Sequence, residues 1–252
     1  MNLILIDPQE VAQEQVILED RRREHIRKIL RSQVGDTVRV GIVNGLLGRG
    51  VILELNRERV VLRLTLDTPP PPPPTTDLIL ALPRPIMLRR VLAQATTLGV
   101  GRIFLINAKR VEKSFFNASL LQEEFYKEFL YQGLEQAGDT RLPTVHLFQR
   151  VRPFVEDHLP ELARACPLRL IAHPDTPAYL WEHAAPPLRQ RVLLAIGPEG
   201  GWVDFELGQF QAQGFLPFTL GPRILRVDTA LPALFAQLEL LRQLPPLGGM
   251  TG

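Results

Sequence analysis

The chain has 252 residues, of which 45% are hydrophobic, and a formal net charge of +2. That length suits one large domain or two smaller ones with a proper core, and so small a charge does not by itself establish a nucleic-acid partner. Cys166 is the only cysteine, which excludes an intrachain disulfide framework and a thiolate metal cluster. The opening MNLILIDPQE has neither a basic n-region nor a long apolar core, so it does not read as a signal peptide. No apolar run is long enough to span a bilayer, and a reducing cytoplasm is the expected location. Lysine occurs only at positions 28, 109, 113 and 127, so arginine supplies most of the positive charge. Guanidinium forks suit phosphates and base edges, although genomic composition bias yields the same excess.

Asp20 is predicted to cap a helix running through Leu30 to Arg31. It carries the basic run Arg21-Arg22-Arg23-Glu24-His25-Ile26-Arg27-Lys28-Ile29-Leu30-Arg31, which suits either a phosphate backbone or a solvated helix face. Gly35-Asp36 turns the chain. Thr37 to Val43, Gly50 to Leu55 and Arg59 to Leu66 then read as strands, separated by the turn signals Asn44-Gly45 and Asn56-Arg57. Residues 1–68 thus predict a small β-rich module with one helix. Six consecutive prolines, Pro69 to Pro74, favour an extended spacer and cannot pair inside a sheet, so 69–76 is predicted as a linker.

Beyond it the hydrophobic period changes. Leu78 to Leu82 reads as a buried strand and Ile86 to Leu98 as an amphipathic helix stopped by Gly99. Arg102 to Ile106, Leu168 to Ala172 and Val192 to Ile196 are predicted strands. Glu123 to Gln136, Asp204 to Gln213 and Asp228 to Leu241 are predicted helices. Alternating strands and helices over 77–244 imply an α/β fold with a mainly parallel sheet, whose ligands bind beyond the carboxyl ends of the strands. Residues 245–252 are predicted to be a disordered tail.

Residues 196–230 hold two glycine-and-proline loops, Gly197-Pro198-Glu199-Gly200-Gly201 and Leu220-Gly221-Pro222-Arg223. Each follows an apolar run and precedes a helix-like segment, as a small-molecule site lined by main chain requires. The first loop is neither a P-loop nor a dinucleotide fingerprint, and the Glu199 carboxylate would repel a phosphate. Asp228 is placed to cap the last helix. Arg226 just before it suits a phosphate or a developing oxyanion, or else a surface arginine paired with Asp228. His25 reads as structural, and His146, His158, His173 and His183 show no metal-ligand spacing with one another or with Cys166, so no metal is expected.

Together these residues resemble the RsmE-type 16S ribosomal RNA uridine-N3 methyltransferases of the SPOUT superfamily. The most specific match is Ile196–Gly201 followed by Leu220–Ala230. His25–Asp36 (HIRKILRSQVGD), Ala95–Val100 with Arg110, and Glu135-Gln136 with Arg141 and Pro143 support it. The resemblance implies a PUA-like RNA-binding β-barrel first, then a SPOUT domain with a C-terminal trefoil knot. It implies S-adenosyl-L-methionine as cofactor, a homodimer, and 16S RNA of the small subunit as substrate. Carried over residue by residue, the cofactor would lie against Ile171, Ala172 and His173, against Ile196, Gly197, Pro198, Glu199, Gly200 and Gly201, and against Leu220, Gly221, Ile224, Leu225 and Arg226. Arg226, Asp228 and Glu199 are the candidate catalytic residues. Arg21, Arg22, Arg23, Arg27, Lys28, Arg31 and Arg110 are the candidate RNA contacts. The chain departs from the family pattern at Thr97 and Asp228, where glutamate is commoner, and at Pro85-Ile86-Met87. A transfer-RNA or ribose 2′-O SPOUT methyltransferase, and a non-catalytic ribosome-assembly protein, are the competing readings.

Overall fold

The computed structural model describes residues 3–246, so most of the predicted tail (247–252) lies outside the described residues. The chain divides into two compact units: Met1–Pro73 with Leu130–Leu142, and Pro74–Phe129 with Pro143–Gly252. Among the described residues no helix is long and apolar enough to cross a membrane.

Unit 1 contains β1 (Ile4–Ile6), β2 (Gln15–Leu18), a short helix α1 (Arg21–Glu24) continuing into a π-helical turn (His25–Leu30), β3 (Thr37–Ile42), β4 (Leu47–Leu55) and β5 (Val60–Thr68). They form a five-stranded sheet in the order β1-β3-β4-β5-β2. The β1–β3 pair is parallel and the others are antiparallel. Alternation along β2 and β3 buries Val16, Leu18, Val38 and Val40 with Ile26 of the π turn, as a one-face core requires. At the bulge near Gly48 a Cβ would stand 1.9 Å from the Thr65 carbonyl oxygen, so only glycine fits. The helical prediction holds in position, with Asp20 capping through its side chain to the Arg22 N–H. Arg31 ends it in the left-handed region, φ 53°. The unit is larger than the first 68 residues. Leu134 and Leu142 pack against Leu3, Leu5 and Val43, and the Thr140 hydroxyl donates to the Gly45 carbonyl at 2.6 Å.

Unit 2 contains β6 (Thr76–Ala81), α2 (Pro85–Thr97), β7 (Val100–Ile106), the first part of α3 (Glu123–Ala137), β8 (Thr144–Phe148), α4 (Val151–Pro153), α5 (Leu159–Ala165), β9 (Leu168–Ala172), α6 (Leu180–His183), β10 (Val192–Ile196), α7 (Asp204–Ala212), β11 (Leu216–Phe218) and α8 (Val227–Gln243). Its six strands run in the order β11-β9-β10-β6-β7-β8, every pair parallel. The central strands β6 and β10 are buried at every residue, which is why β10 and the Leu78–Ala81 part of β6 read as unbroken apolar runs. The chain leaves β6 toward β7 and leaves β10 toward β11, on the opposite side. The junction between β6 and β10 is therefore the switch point at which open α/β sheets form their ligand crevice.

The amino ends of these strands are pinned by the fully buried Asp77. Arg102 and Arg191 each approach one of its oxygens to 2.6 Å, and the Cys166 thiol lies 3.5 Å away as a donor. Burial alone would raise the Asp77 pKa, but the two guanidiniums override it and hold the carboxyl below the usual range.

Candidate active site

A cavity of about 260 Å³ opens at the carboxyl ends of β9, β10 and β11, within unit 2. Its walls come from three chain segments. Ala172 to Asp175 follow β9, Ile196 to Trp202 follow β10, and Phe218 to Leu220 with Arg223 to Leu225 follow β11. Val227 and Ala230 of α8 and Arg110 complete it. The first glycine loop leaves the fully buried strand β10.

The glycines are set by what faces them. A Cβ on Gly197 would sit 3.0 Å from Trp202 Nε1 and 3.1–3.2 Å from two ring carbons of the same indole. Gly201 adopts φ 76°, a left-handed conformation that glycine takes without strain. Two buried polar atoms of residues in the wall, Trp202 Nε1 and His173 Nδ1, have no hydrogen-bond partner among the described residues. Such groups are rare in a finished core and mark where a ligand completes the bonding.

Side chains from outside the 196–230 stretch hold the first loop. The Arg110 guanidinium donates to the Gly200 carbonyl, and its stem would lie 3.1 Å from a Cβ on that glycine. Arg84, at the start of α2, pairs with Glu199 through its Nε at 3.1 Å, bridging the switch point between β6 and β10. The buried Glu206 of α7 accepts from the Lys109 N–H at 2.6 Å and from the Val203 N–H at 3.2 Å. This fixes the residue before Arg110 and the chain just after the glycine loop.

Most of the predicted ligand-binding residues meet at this cavity: Ala172, His173, Ile196 to Gly201, Leu220, Ile224 and Leu225 line it. Ile171 is fully buried in β9 behind the wall, and Gly221 and Arg226 are not among the lining residues. Of the three catalytic candidates only Glu199 lines the cavity.

Asp228 is not the helix cap. Arg226 holds that position, φ −69° and ψ 155°, without a side-chain cap bond, and α8 begins at Val227. Asp228 sits in the first turn and instead accepts from Arg90 Nη1 of α2 through Oδ2 at 3.0 Å. Its buried Oδ1 has no partner among the described residues. A carboxylate one position inside a helix is stabilised by the positive end of the dipole even without capping.

The predicted RNA contacts fare differently. Arg21 makes a bidentate pair with the buried Glu135, both distances 2.9 Å. Arg22, only 11% exposed, is shared between Glu10 and Asp20 and donates to the Leu5 carbonyl. Arg23, Arg27 and Lys28 all converge on Glu24. Arg31 is exposed, and Arg110 belongs to the cavity wall. Arg21 and Arg22 are thus tied into unit 1 by ion pairs with Glu135, Glu10 and Asp20. Trp202, Arg84 and Glu206 were not anticipated. Trp202 directly follows the glycine loop and could have been suspected, whereas Arg84 and Glu206 are brought in only by the fold.

A parallel α/β sheet with a cavity walled by loops at the carboxyl ends of β9, β10 and β11 is the architecture of a small-molecule-binding α/β domain. The family model described as RNA methyltransferase domain matches residues 70–239, most of unit 2. A ribosomal RNA small subunit methyltransferase E from Treponema pallidum is 34% identical over 234 residues, covering 91% of this chain and 87% of that protein. One from Synechocystis is 29% identical over 240 residues, 94% of this chain and 77% of that one. The chain belongs to this family of RNA methyltransferases, on the ribosomal RNA small subunit methyltransferase E branch. Two solved structures share the fold at 21% identity. One is a ribosomal RNA small subunit methyltransferase E of Neisseria gonorrhoeae bound to S-adenosyl methionine, TM-score 0.74 over 96% of this chain and 98% of that one. The other is a methyltransferase of Legionella pneumophila with the same bound cofactor, TM-score 0.75 over 95% and 97%.

Proposed function

We propose that this protein methylates N3 of a uridine in 16S ribosomal RNA of the small subunit, with S-adenosylmethionine as the methyl donor. The observation that carries the reading is the cavity between the 197–201 and 220–225 loops. Its walls fit an adenosyl group with a sulfonium side chain. The Gly197–Gly201 backbone gives close approach, the unpartnered Trp202 Nε1 and His173 Nδ1 offer bonds to ring or ribose atoms, and Glu199 tolerates a cation where it would repel a phosphate. The residues holding it would be Ala172, His173, Ile196 to Gly201, Leu220, Ile224 and Leu225, with Ile171, Gly221 and Arg226 supporting them from behind or beside the wall. When bound, the cofactor supplies an electrophilic methyl group.

The chain's own part is to make uridine N3 a nucleophile. N3 carries a proton on the Watson–Crick edge, so the base must be unpaired or flipped out. We assign Asp228 to accept that proton, because its Oδ1 is unpartnered, with Glu199 as the second candidate base. Arg226, exposed at the start of α8, stabilises the negative charge that spreads onto the flanking carbonyl oxygens. In the same reading unit 1 is the PUA-like barrel, the segment of unit 2 through β11 and α8 is a trefoil knot, the protein works as a homodimer, and it acts in the cytoplasm.

The test is a methyl-transfer assay on naked 16S RNA, on small subunits and on whole ribosomes, with the product nucleoside identified by mass spectrometry. N3-methyluridine in 16S RNA is expected. A ribose-methylated product, or methylation of transfer RNA alone, overturns the substrate assignment. Absence of calorimetric heat with S-adenosylmethionine overturns the enzyme itself.

A further inference from the structure

Arginines from two elements of unit 2 frame the cavity and the catalytic candidates. Arg84, Arg89 and Arg90 lie at the start and along the outer side of α2, and Arg223 and Arg226 lie on the loop before α8; all are exposed. Arg84 and Arg90 reach the two candidate bases, Glu199 and Asp228, at 3.1 and 3.0 Å, yet their side chains remain 62% and 64% open to solvent. The Arg89 guanidinium stands 5.7 Å from the Phe129 ring centre, which steadies it by cation–π attraction. Arg223 lines the cavity itself. The carboxylates nearby, Glu199, Asp228 and Asp175, are outnumbered by these arginines.

The basic run of unit 1 is a poorer phosphate surface. Its arginines 21 and 22 are committed to Glu135, Glu10 and Asp20, and three further cations share Glu24. A phosphate there would have to displace partners already in place. On α2, Arg84 and Arg90 each also hold one carboxylate, but with 62% and 64% of their side chains open to solvent they leave room for a phosphate beside those pairs, on forks whose planar geometry matches its oxygens.

We propose that the substrate RNA strand docks by its phosphates mainly on the arginine rim of unit 2, formed by Arg84, Arg89, Arg90 and Arg223. This rests on the reading of the protein as an RNA methyltransferase that uses the adjacent cavity. The rim would place the strand's backbone beside the residues that face the target base, so that docking and base presentation are one event.

The experiment is an anisotropy titration of naked 16S RNA with the full chain across a salt series, paired with calorimetry of S-adenosylmethionine. The variants are Arg84→Gln, Arg89→Gln, Arg90→Gln and Arg223→Gln, with Lys28→Gln and Arg31→Gln as the unit 1 arm. Each rim substitution is expected to make the slope of log affinity against log salt shallower by about 0.7–0.9, the value of one lost phosphate contact. The unit 1 variants should keep the wild-type slope, and the Arg89 and Arg90 variants should keep the wild-type heat with S-adenosylmethionine. Unchanged slopes in the rim variants, or a larger loss in Lys28→Gln and Arg31→Gln, overturn the proposal. If the wild-type chain itself gives no heat with S-adenosylmethionine, the functional reading has failed instead, and the slopes still decide where RNA binds.

Discussion

Arg22 in unit 1 is 11% exposed and divides its guanidinium among Glu10, Asp20 and the Leu5 carbonyl. Arg90 in unit 2 is 64% exposed and touches one oxygen of Asp228. The charge-rich segment, Arg21 to Arg31, is thus largely neutralised within its own unit. The glycine-rich segment, which carries little charge of its own, is ringed by arginines supplied by α2 and by the loop after β7. Density of charge along the sequence is a poor guide to where charge is available. What matters is whether the fold brings carboxylates to meet it, and in unit 1 it does.

The two units also differ in how they treat a buried carboxylate, and this gives the largest expected effect. Asp77→Ala removes the acceptor of two arginines at once and leaves them facing each other at the amino ends of β6, β7 and β10. Breaking a buried pair in this way costs about 3 kcal/mol, the arginines' partial exposure keeping it at the low end of the range. Chemical denaturation should register that loss. The pH dependence has a definite sign. The Asp77 pKa is depressed in the folded chain, so its contribution is present above the unfolded value and is lost as pH falls through the folded one. The wild-type chain should therefore lose more stability in acid than Asp77→Ala does.

Next in size is Gly197→Val. The added Cβ would press on the Trp202 indole, a rigid ring in a buried position. The loop must move and the wall with it, so affinity for S-adenosylmethionine should fall by about 100-fold, or ~2.7 kcal/mol, while denaturation of unit 1 is unchanged. Calorimetry that finds the variant binding like wild type would show that this loop is not the ligand wall.

That loop was the part of the molecule most readable in advance, for a physical reason. β10 is buried at every residue and β9 at three of its five, so their sequences are short, mainly apolar runs with sharp ends, Arg169 being the one charge among them, and the observed bounds Leu168–Ala172 and Val192–Ile196 equal the predicted ones. Glycine and proline then mark where the backbone must come close to something. The short strands were not legible. β1 has three residues, β11 is Leu216–Phe218 with Pro217 at its middle, and β2 follows the left-handed pair Gln13 and Glu14. The partners of the site were equally hidden. Asp228 looks like a cap from its neighbours alone, because its ion pair with Arg90 spans 138 residues. Arg110 looks like a surface cation until the fold lays it on Gly200. The same is true of Leu130–Leu142, whose attachment to unit 1 depends on contacts with residues some ninety or more positions earlier, such as Thr140 with Gly45.

Unit 1 offers the counterpart to Asp77. Burial pushes the Glu135 carboxyl pKa up, against the pull of Arg21. Arg21→Ala would remove that pull and cost about 2 kcal/mol, discounted because Arg21 is more than a third exposed. A carboxyl whose folded pKa is raised binds more protons folded than unfolded, so stability falls as pH rises from the unfolded value toward the folded one. That fall should be steeper in Arg21→Ala and absent in Arg21→Ala/Glu135→Gln. Equal pH profiles for the two variants would mean that Glu135 is not the group responsible.

Smaller again is Arg110→Ala, which removes the donor to the Gly200 carbonyl and the stem that covers it. One charge-assisted bond to a loop is worth about 1.4 kcal/mol, so the KM for S-adenosylmethionine should rise roughly tenfold with kcat little changed. Arg110→Lys should recover part of it. The salt slope of RNA binding should not move. If the slope does move and the KM does not, Arg110 is an RNA contact after all and the division between the two sets of arginines is drawn in the wrong place.

The smallest effect is the one that tests the division from the other side. Glu24 gathers Arg23, Arg27 and Lys28 on α1 and its π turn, and Lys28, with Arg27, holds its carboxyl below the usual range. Exposed pairs of this kind contribute little because water and salt screen them, so Glu24→Gln should leave the thermal midpoint unchanged within the scatter of measurement. It would, however, release three cations at once. Were the run a phosphate track, freeing them would tighten binding to 16S RNA at low salt and steepen the salt slope. With the strand seated on the rim of unit 2, neither should change. A tightening would mean that Glu24 restrains a working RNA surface, and that unit 1's neutralised run is held in reserve and not merely built into the fold.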